Sequence, residues 1–377
     1  MWKRTPLKTV TSSSLLMTGA WASACAAVAM TASSAIASGG VVPGSRYESA
    51  RAEAMGDAYI PLADDGASSL FYNPAGFGNI RKPTVELMNL QLQTNSQYIN
   101  NVGLSFFKFT SLSSYAPTLQ KNPGAFPGVS AAFLPNISFR GFGFGLLAES
   151  RVAAVSDGTN VRYRSKYQLT PAAGGALRLA SGVLRIGYSL QWVNQASGDR
   201  TVALSSTPLG YNQGLAQGSA LSHNVGIALT LPYTYLPSFN IVARNIGNAK
   251  YSSFTFYSMA KNPSGVPQTE LMSFDAAMGF TGKIARGMEL KSAFELRDFT
   301  GVSGAALLTR SALGLELAFK QSFFLRVGMG SGYPSAGFGF RTQRGELDLS
   351  WFSEETGATA RSERDTRYVL HYQIRAF

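Results

Sequence analysis

From Thr84 to Phe377 the chain alternates apolar residues with polar or small ones at a period of two. In MELKSAFELRDF, Met288, Leu290, Phe294 and Leu296 fall on one face, against Glu289, Lys291, Glu295 and Arg297 on the other. The stretch LGLELAFK opposes Leu313, Leu315, Leu317 and Phe319 to Gly314, Glu316, Ala318 and Lys320. FFLRVGMG opposes Phe323, Leu325, Val327 and Met329 to Arg326 and two glycines, and ELDLSWF sets Leu347, Leu349 and Trp351 against Glu346, Asp348 and Ser350. A helix would scatter these sets around its circumference, whereas a strand separates them cleanly. The chain is therefore built of strands with one apolar and one polar face.

Soluble sandwiches, lipocalin-like barrels and membrane barrels all satisfy that pattern, and the connections discriminate among them. Strands are expected near 82–94, 125–134, 139–152, 164–180, 183–197, 218–231, 238–248, 271–281, 287–299, 309–320, 323–331, 335–342, 345–353 and 367–377. The even-numbered connections are short: PNIS, SG, PYTYLP, GKIAR, QS and QR. The odd ones are long (95–124, 153–163, 198–217, 249–270, 300–308, 354–366), except at 332–334. Short turns at one end and long loops at the other mark an outer-membrane barrel. Beyond Ala37 no apolar run reaches the ~18 residues of a spanning helix, so a membrane would be crossed by strands. The expected fold is all-β: a monomeric transmembrane antiparallel β-barrel of about fourteen strands, with both chain ends on the short-turn side. Tyr368, Tyr372 and Trp351 suit interfacial girdles. Phe377 falls out of step with Tyr368, Leu370, Tyr372 and Ile374, which predicts a bulge or frayed end near Ala376.

The N-terminus reads differently. Lys3, Arg4 and Lys8 precede a small, apolar stretch that ends in Ala35-Ile36-Ala37. That order is a secretory signal peptide over residues 1–37, cleaved after Ala37. A transmembrane anchor, or a lipoprotein lipidated at Cys25, is the weaker reading. Cys25 is the only cysteine, so the mature chain has no disulfide, thiol nucleophile or cysteine-based metal site. With the signal removed, the net charge falls from +12 to +9. The cations are scattered, which speaks against nucleic acid. Two histidines, His223 and His371, leave little for zinc or a catalytic base. Ser222, His223 and Asn224 have the residue types of an outer-membrane phospholipase, but neighbours on a strand point to opposite faces. No catalytic residue, cofactor or metal is expected.

Between the cleavage site and the first strand lies a segment, 38–81, too long for a simple tail. It contains Ala54-Met55-Gly56, Ala58-Tyr59, Leu62-Ala63-Asp64-Asp65 and Leu70-Phe71-Tyr72-Asn73-Pro74-Ala75-Gly76. This resembles the N-terminal signature of the FadL/TodX-like outer-membrane hydrophobic-compound transporters, including their PorV-like branch. ARNIGNAKY, Ala243 to Tyr251, resembles a mid-barrel motif of that branch. Asp57, Pro61 and the shifted Phe377 depart from the pattern. The resemblance implies a barrel over 82–377 and an N-terminal hatch, from about Ser45 to Ile80, inside or across its periplasmic mouth. Asn73, Pro74, Ala75 and Gly76, with Asp64 and Asp65, would form the hatch. It further implies passive uptake of long-chain fatty acids or hydrocarbons in a Gram-negative outer membrane of lipid and lipopolysaccharide. The branch alternative is an accessory barrel that anchors or assists a secretion or surface-protein partner. SSYAPTLQKNPGAFPG, at the first long loop, suits either ligand capture or protein contact. Glu289, Lys291, Glu295, Arg297, Glu316, Arg326, Arg341 and Asp348, together with Asp275, Glu346 and Lys320, are expected to line the lumen. Their mixed signs suggest mutual pairing.

Overall fold

The computed structural model describes residues 46–103, 112–206, 210–355, 361 and 364–376. The expected signal peptide, Cys25 and Phe377 lie outside them. Among the described residues no helix is long and apolar enough to cross a membrane.

The strands are β1 (Thr84–Asn95), β2 (Gly128–Phe133), β3 (Asn136–Phe139), β4 (Phe142–Ser156), β5 (Asn160–Leu179), β6 (Leu184–Ala203), β7 (Ala216–Thr230) and β8 (Ser238–Arg244). They continue as β9 (Ser273–Ala285), β10 (Met288–Leu296), β11 (Ser311–Phe319), β12 (Phe323–Gly330), β13 (Tyr333–Arg341), β14 (Gly345–Glu355) and β15 (Arg364–Arg375). Each pairs antiparallel with its neighbours, and β15 closes onto β1. β2 and β3 both lie between β1 and β4, as two halves of one interrupted strand. The result is a closed antiparallel barrel of fourteen staves. Closure removes the unpaired edges that an open sheet would present.

Two connections depart from the sequence reading. PNIS is not a turn. Asn136–Phe139 resumes the ladder, and the chain reverses instead at Arg140–Gly141, where Gly141 has φ 90°. Pro135 lacks the N–H that a ladder needs, so it interrupts the strand and looks like a loop in sequence. The third connection is also not a long loop. β4 and β5 meet at Asp157–Thr159, where Asp157 Oδ1 accepts from the backbone N–H of Thr159 at 2.8 Å and Asn160 at 2.6 Å. β5 and β6 run for twenty residues each, beyond the ~9–11 that cross a bilayer. Their projecting ends carry Arg162 against Asp199 at 2.6 Å, a cross-strand ion pair on an exposed face. The alternation continues there, with Val161 and Tyr163 buried in an apolar cluster and Arg162 and Arg164 exposed between them, so it is the charged residues that made the extension read as a loop. The irregularity near the chain end belongs to β1 rather than β15: the register shifts between Glu86 and Met88, opposite Arg375 and Ile374.

The outward face is apolar over the described strands, with Leu315, Leu325, Val327, Phe340, Leu370 and Tyr372 all exposed. Their inward neighbours Glu316, Arg326, Asp348 and His371 are buried. A closed strand cylinder with its apolar residues outside suits hydrocarbon surroundings. Lys320 is a correction: it sits exposed in the turn after β11, outside the lumen.

Candidate functional site

Residues 46–80 occupy the interior. They form a one-turn helix (Ala50–Glu53), a helix at Gly66–Phe71, and 3-10 turns at Ile60–Leu62 and Pro74–Asn79. Short elements are what this sequence can support. Asp65 caps the Gly66–Phe71 helix, accepting from Ser68 N at 2.7 Å, while Ser68 Oγ accepts in turn from Asp65 N at 3.2 Å. Pro74 excludes the helical region for Asn73, which is extended at φ −147° and ψ 106°. Asn73 Oδ1 accepts from Ala75 N at 3.0 Å, an Asx turn that starts the final 3-10 element. The plug and wall share one apolar cluster, including Met55, Leu70, Phe71, Phe77, Leu134 and Leu147.

The wall is cut away where the plug touches it. Asn73-Pro74-Ala75 lies on the cross-strand pair Gly187–Gly226 of β6 and β7. A Cβ on Gly187 would stand 2.2 Å from the Pro74 carbonyl carbon, and one on Gly226 2.2 Å from Asn73 Oδ1. Met55-Gly56 lies likewise on the Gly314–Gly328 pair of β11 and β12, where a Cβ on Gly328 would stand 2.1 Å from the Met55 carbonyl carbon. No side chain larger than hydrogen fits these contacts. Asn73 Nδ2 then donates to Ile60 O at 3.2 Å and to Asn240 Oδ1 on β8 at 3.1 Å. Gly76 faces back into the plug, against Ser69 and the Ala63 carbonyl.

Charge fixes the other side of the plug. Arg51 makes two bonds of 2.7 Å to Glu316, and Glu316 also accepts from Arg326 Nε at 2.7 Å. Arg326 continues to Asp348 at 2.5 Å, and Asp348 to His371 Nδ1 at 3.0 Å. Arg51 also meets Asp64 at 2.9 Å, which Lys291 approaches at 3.1 Å. Burial pushes the Asp64 carboxyl up, but Arg51 and Lys291 outweigh it and hold the group well below the usual range. A second contact joins Arg297 to Asp57 at 2.6 Å, and the Glu295 carboxylate accepts from Tyr59 N and Ile60 N. Arg341 pairs with Glu346 at 2.7 Å, part of the wall rather than a plug contact. Glu289 lies at the rim, with Gln321 at 3.0 Å and Lys291 at 3.8 Å. The structure thus unites Glu316, Arg326, Asp348, Lys291 and Asp64 in one ion-pair network, which Glu289 joins at the rim through Lys291, and leaves Asp65 and Arg341 outside it. A polar cavity of about 20 Å³ remains between plug and wall, lined by Tyr47, Arg51, Glu86, Asp348 and His371. That is room for about one water molecule.

Several contacting residues carried no sequence signal of their own. Arg46 reaches Glu270 at 2.5 Å and Asn245 at 3.0 Å. Arg244, paired with Asp275 at 2.5 Å, donates to the carbonyls of Phe71 at 3.0 Å and Tyr72 at 3.2 Å. It thereby satisfies the exposed carbonyls at the end of the Gly66–Phe71 helix. The ARNIGNAKY motif was the available pointer, since Arg244 and Asn245 are its plug-contacting members. Ser222 and His223 do point to opposite faces: Ser222 bonds Asn245 Oδ1 inside at 2.7 Å, and His223 meets Tyr188 outside at 2.6 Å.

Glu53 is buried on the Ala50–Glu53 helix. Burial, then Asp57, Glu48 and Glu354, push its carboxyl well above the usual range against the pull of Arg297. A carboxyl raised by folding stabilises fully below its unfolded value, and that contribution is lost as pH rises toward the folded one. Glu53→Gln mimics the protonated form. Its heat-denaturation midpoint is expected to exceed the parent's at alkaline pH and to converge with it in acid. A constant difference from acid to alkali, followed by the heat-dependent gel shift of the barrel, would exclude titration of Glu53.

No family model matches the chain, and no curated protein does. Among solved structures it is similar to the CymD monoaromatic hydrocarbon channel, at 11% identity over 90% of this chain and 98% of that one, with a TM-score of 0.45. The toluene transporter TodX of Pseudomonas putida is similar at 11% identity, over 89% and 98% of the two chains and with a TM-score of 0.46. A FadL homologue of Pseudomonas aeruginosa follows at 8%, over 89% and 99%, with a TM-score of 0.29.

Proposed function

We propose that the protein is an outer-membrane barrel for passive uptake of small hydrophobic molecules, long-chain fatty acids or hydrocarbons, with residues 46–80 as a hatch. Export by the 1–37 signal and surroundings of lipid and lipopolysaccharide complete the reading. The observation that carries it is how the lumen is filled: it is closed by a separate segment of chain, seated on glycine pairs rather than woven into the wall. Such a segment can shift while the strand ladder stays intact, and a small bias suffices to change the open population.

Asn73 is the first residue to test. Asn73→Ala removes both donations to Ile60 and Asn240 and the cap on Ala75 N. Loss of a buried hydrogen bond costs roughly 1–3 kcal/mol where the partner is left unsatisfied. The variant is expected to insert and resist heat like the parent, while uptake of a labelled fatty acid, or small-molecule leakage, changes. Unchanged passage with a weakened barrel would make the segment a structural plug instead.

One observation favours a second reading. The loop between β8 and β9 exposes Phe254, Tyr257, Val266 and Leu271. Apolar side chains held in water suit an accessory barrel that engages a secretion or surface-protein partner. Unaltered fatty-acid uptake in cells that lack the protein, together with no surface protein co-purifying with the chain from cells that carry it, would count against both readings.

A further inference from the structure

The turn end of β5 and β6 holds an electrostatic conflict. Arg178 and Arg185 are direct cross-strand partners, an arrangement that is destabilising for like charges. Both side chains pack over Gly78 of the plug, where a Cβ would stand 2.8 Å from Arg185 Cδ and 3.2 Å from Arg178 Cγ. Arg185 is only 5% exposed. Its partners are neutral oxygens: Asn79 Oδ1, and Thr230 Oγ1 at 2.6 Å. Arg178 reaches only the Ser181 carbonyl, at 3.2 Å. The Nε atoms of both are buried without a partner. Arg81 and Arg140, exposed at the same mouth, act on Arg178 and add to the repulsion. Among the described residues, no carboxylate acts on either member of the pair.

Elsewhere in this lumen buried arginines meet carboxylates, so the exception asks for a missing anion. We propose that this corner binds a phosphate group, with Arg178 and Arg185 as its floor and Arg81 and Arg140 at its rim. Paired guanidinium forks match phosphate oxygens in charge and in geometry. A lipid is one source of that phosphate: the outward residues beside the pair, Leu177, Leu179 and Ile186, are exposed apolar side chains against which an acyl chain can lie while its headgroup reaches the rim. A free phosphate compound offers the same chemistry. The site stands independently of the uptake reading.

The test uses the purified full chain in neutral detergent, and reads its heat-denaturation midpoint against added short-chain phosphatidylglycerol, phosphatidylcholine or inorganic phosphate. A saturable rise with phosphatidylglycerol and none with phosphatidylcholine is expected. A rise with inorganic phosphate alone would identify a free phosphate compound as the ligand. Arg178→Glu places a carboxylate opposite Arg185. It is expected to raise the ligand-free midpoint and abolish the response. Arg140→Ala, at an exposed turn, is expected to bind roughly tenfold more weakly, the scale of one charge-assisted contact. No saturable response to either phosphate source, or an undiminished one in Arg178→Glu and Arg140→Ala, would overturn the proposal.

Discussion

Glu316→Ala is expected to be the most destabilising single charge deletion in the lumen. The carboxylate is fully buried and holds Arg51 from the plug and Arg326 from the wall, all three bonds at 2.7 Å. Breaking a buried pair by removing one partner costs about 3–5 kcal/mol, because the remaining charge stays buried and uncompensated. Here two cations lose a partner together. Each keeps one acid, Asp64 for Arg51 and Asp348 for Arg326, which sets the cost inside that range rather than above it. Arg51→Ala should cost less, since Glu316 keeps Arg326. Unfolding by urea in a defined lipid or detergent gives the order directly. Protease access to residues 46–80 then reports whether the plug is released first. If Arg51→Ala proves as damaging as Glu316→Ala, the carboxylate is not the hub.

Gly187→Leu should uncouple the plug from the barrel more completely than any loss of a hydrogen bond. A side chain there would occupy the space of the Pro74 carbonyl, at a distance that no van der Waals contact allows. The position is an inward one on β6, and the strand ladder itself needs no glycine at this place. The barrel is therefore expected to form and insert, with the Asn73–Ala75 turn displaced from its seat. Planar-bilayer conductance, or entry of a normally excluded dye, should rise well above the parent. Parental conductance with full protease protection would mean that the wall yields instead of the plug. Tight packing makes that unfavourable, because an interior filled to crystal density has little slack to absorb a side chain.

The alternation in FFLRVGMG or LGLELAFK was sufficient to orient every residue of β11 and β12, because a strand has only two faces and the lipid demands that one of them be apolar. Local chemistry was legible in the same way: Asn73 before Pro74, and Asp65 three residues before Ser68, can satisfy their own backbones with no help from distant chain. Where the local rule met a competing one, the sequence misled. Pro135 breaks a ladder and thus resembles a turn, and in the Arg162–Arg164 stretch the charges disguise a strand whose other face, Val161 and Tyr163, is buried against Tyr98, Tyr115 and Tyr211.

The strand count, the two-faced wall and the inward placement of Glu316, Arg326 and Asp348 were thus determined by the sequence alone. Which plug residue meets which wall residue was decided only by the tertiary structure. Glycines at 187, 226, 314 and 328 read as mere small members of a polar face, because a vacancy has no periodicity and no charge. Arg51 lies 265 residues from Glu316, and nothing local joins them. Their pairing exists because barrel closure fixes the Glu316 carboxylate in a dry interior, and the seat of Met55-Gly56 on its glycine pair brings a guanidinium to meet it.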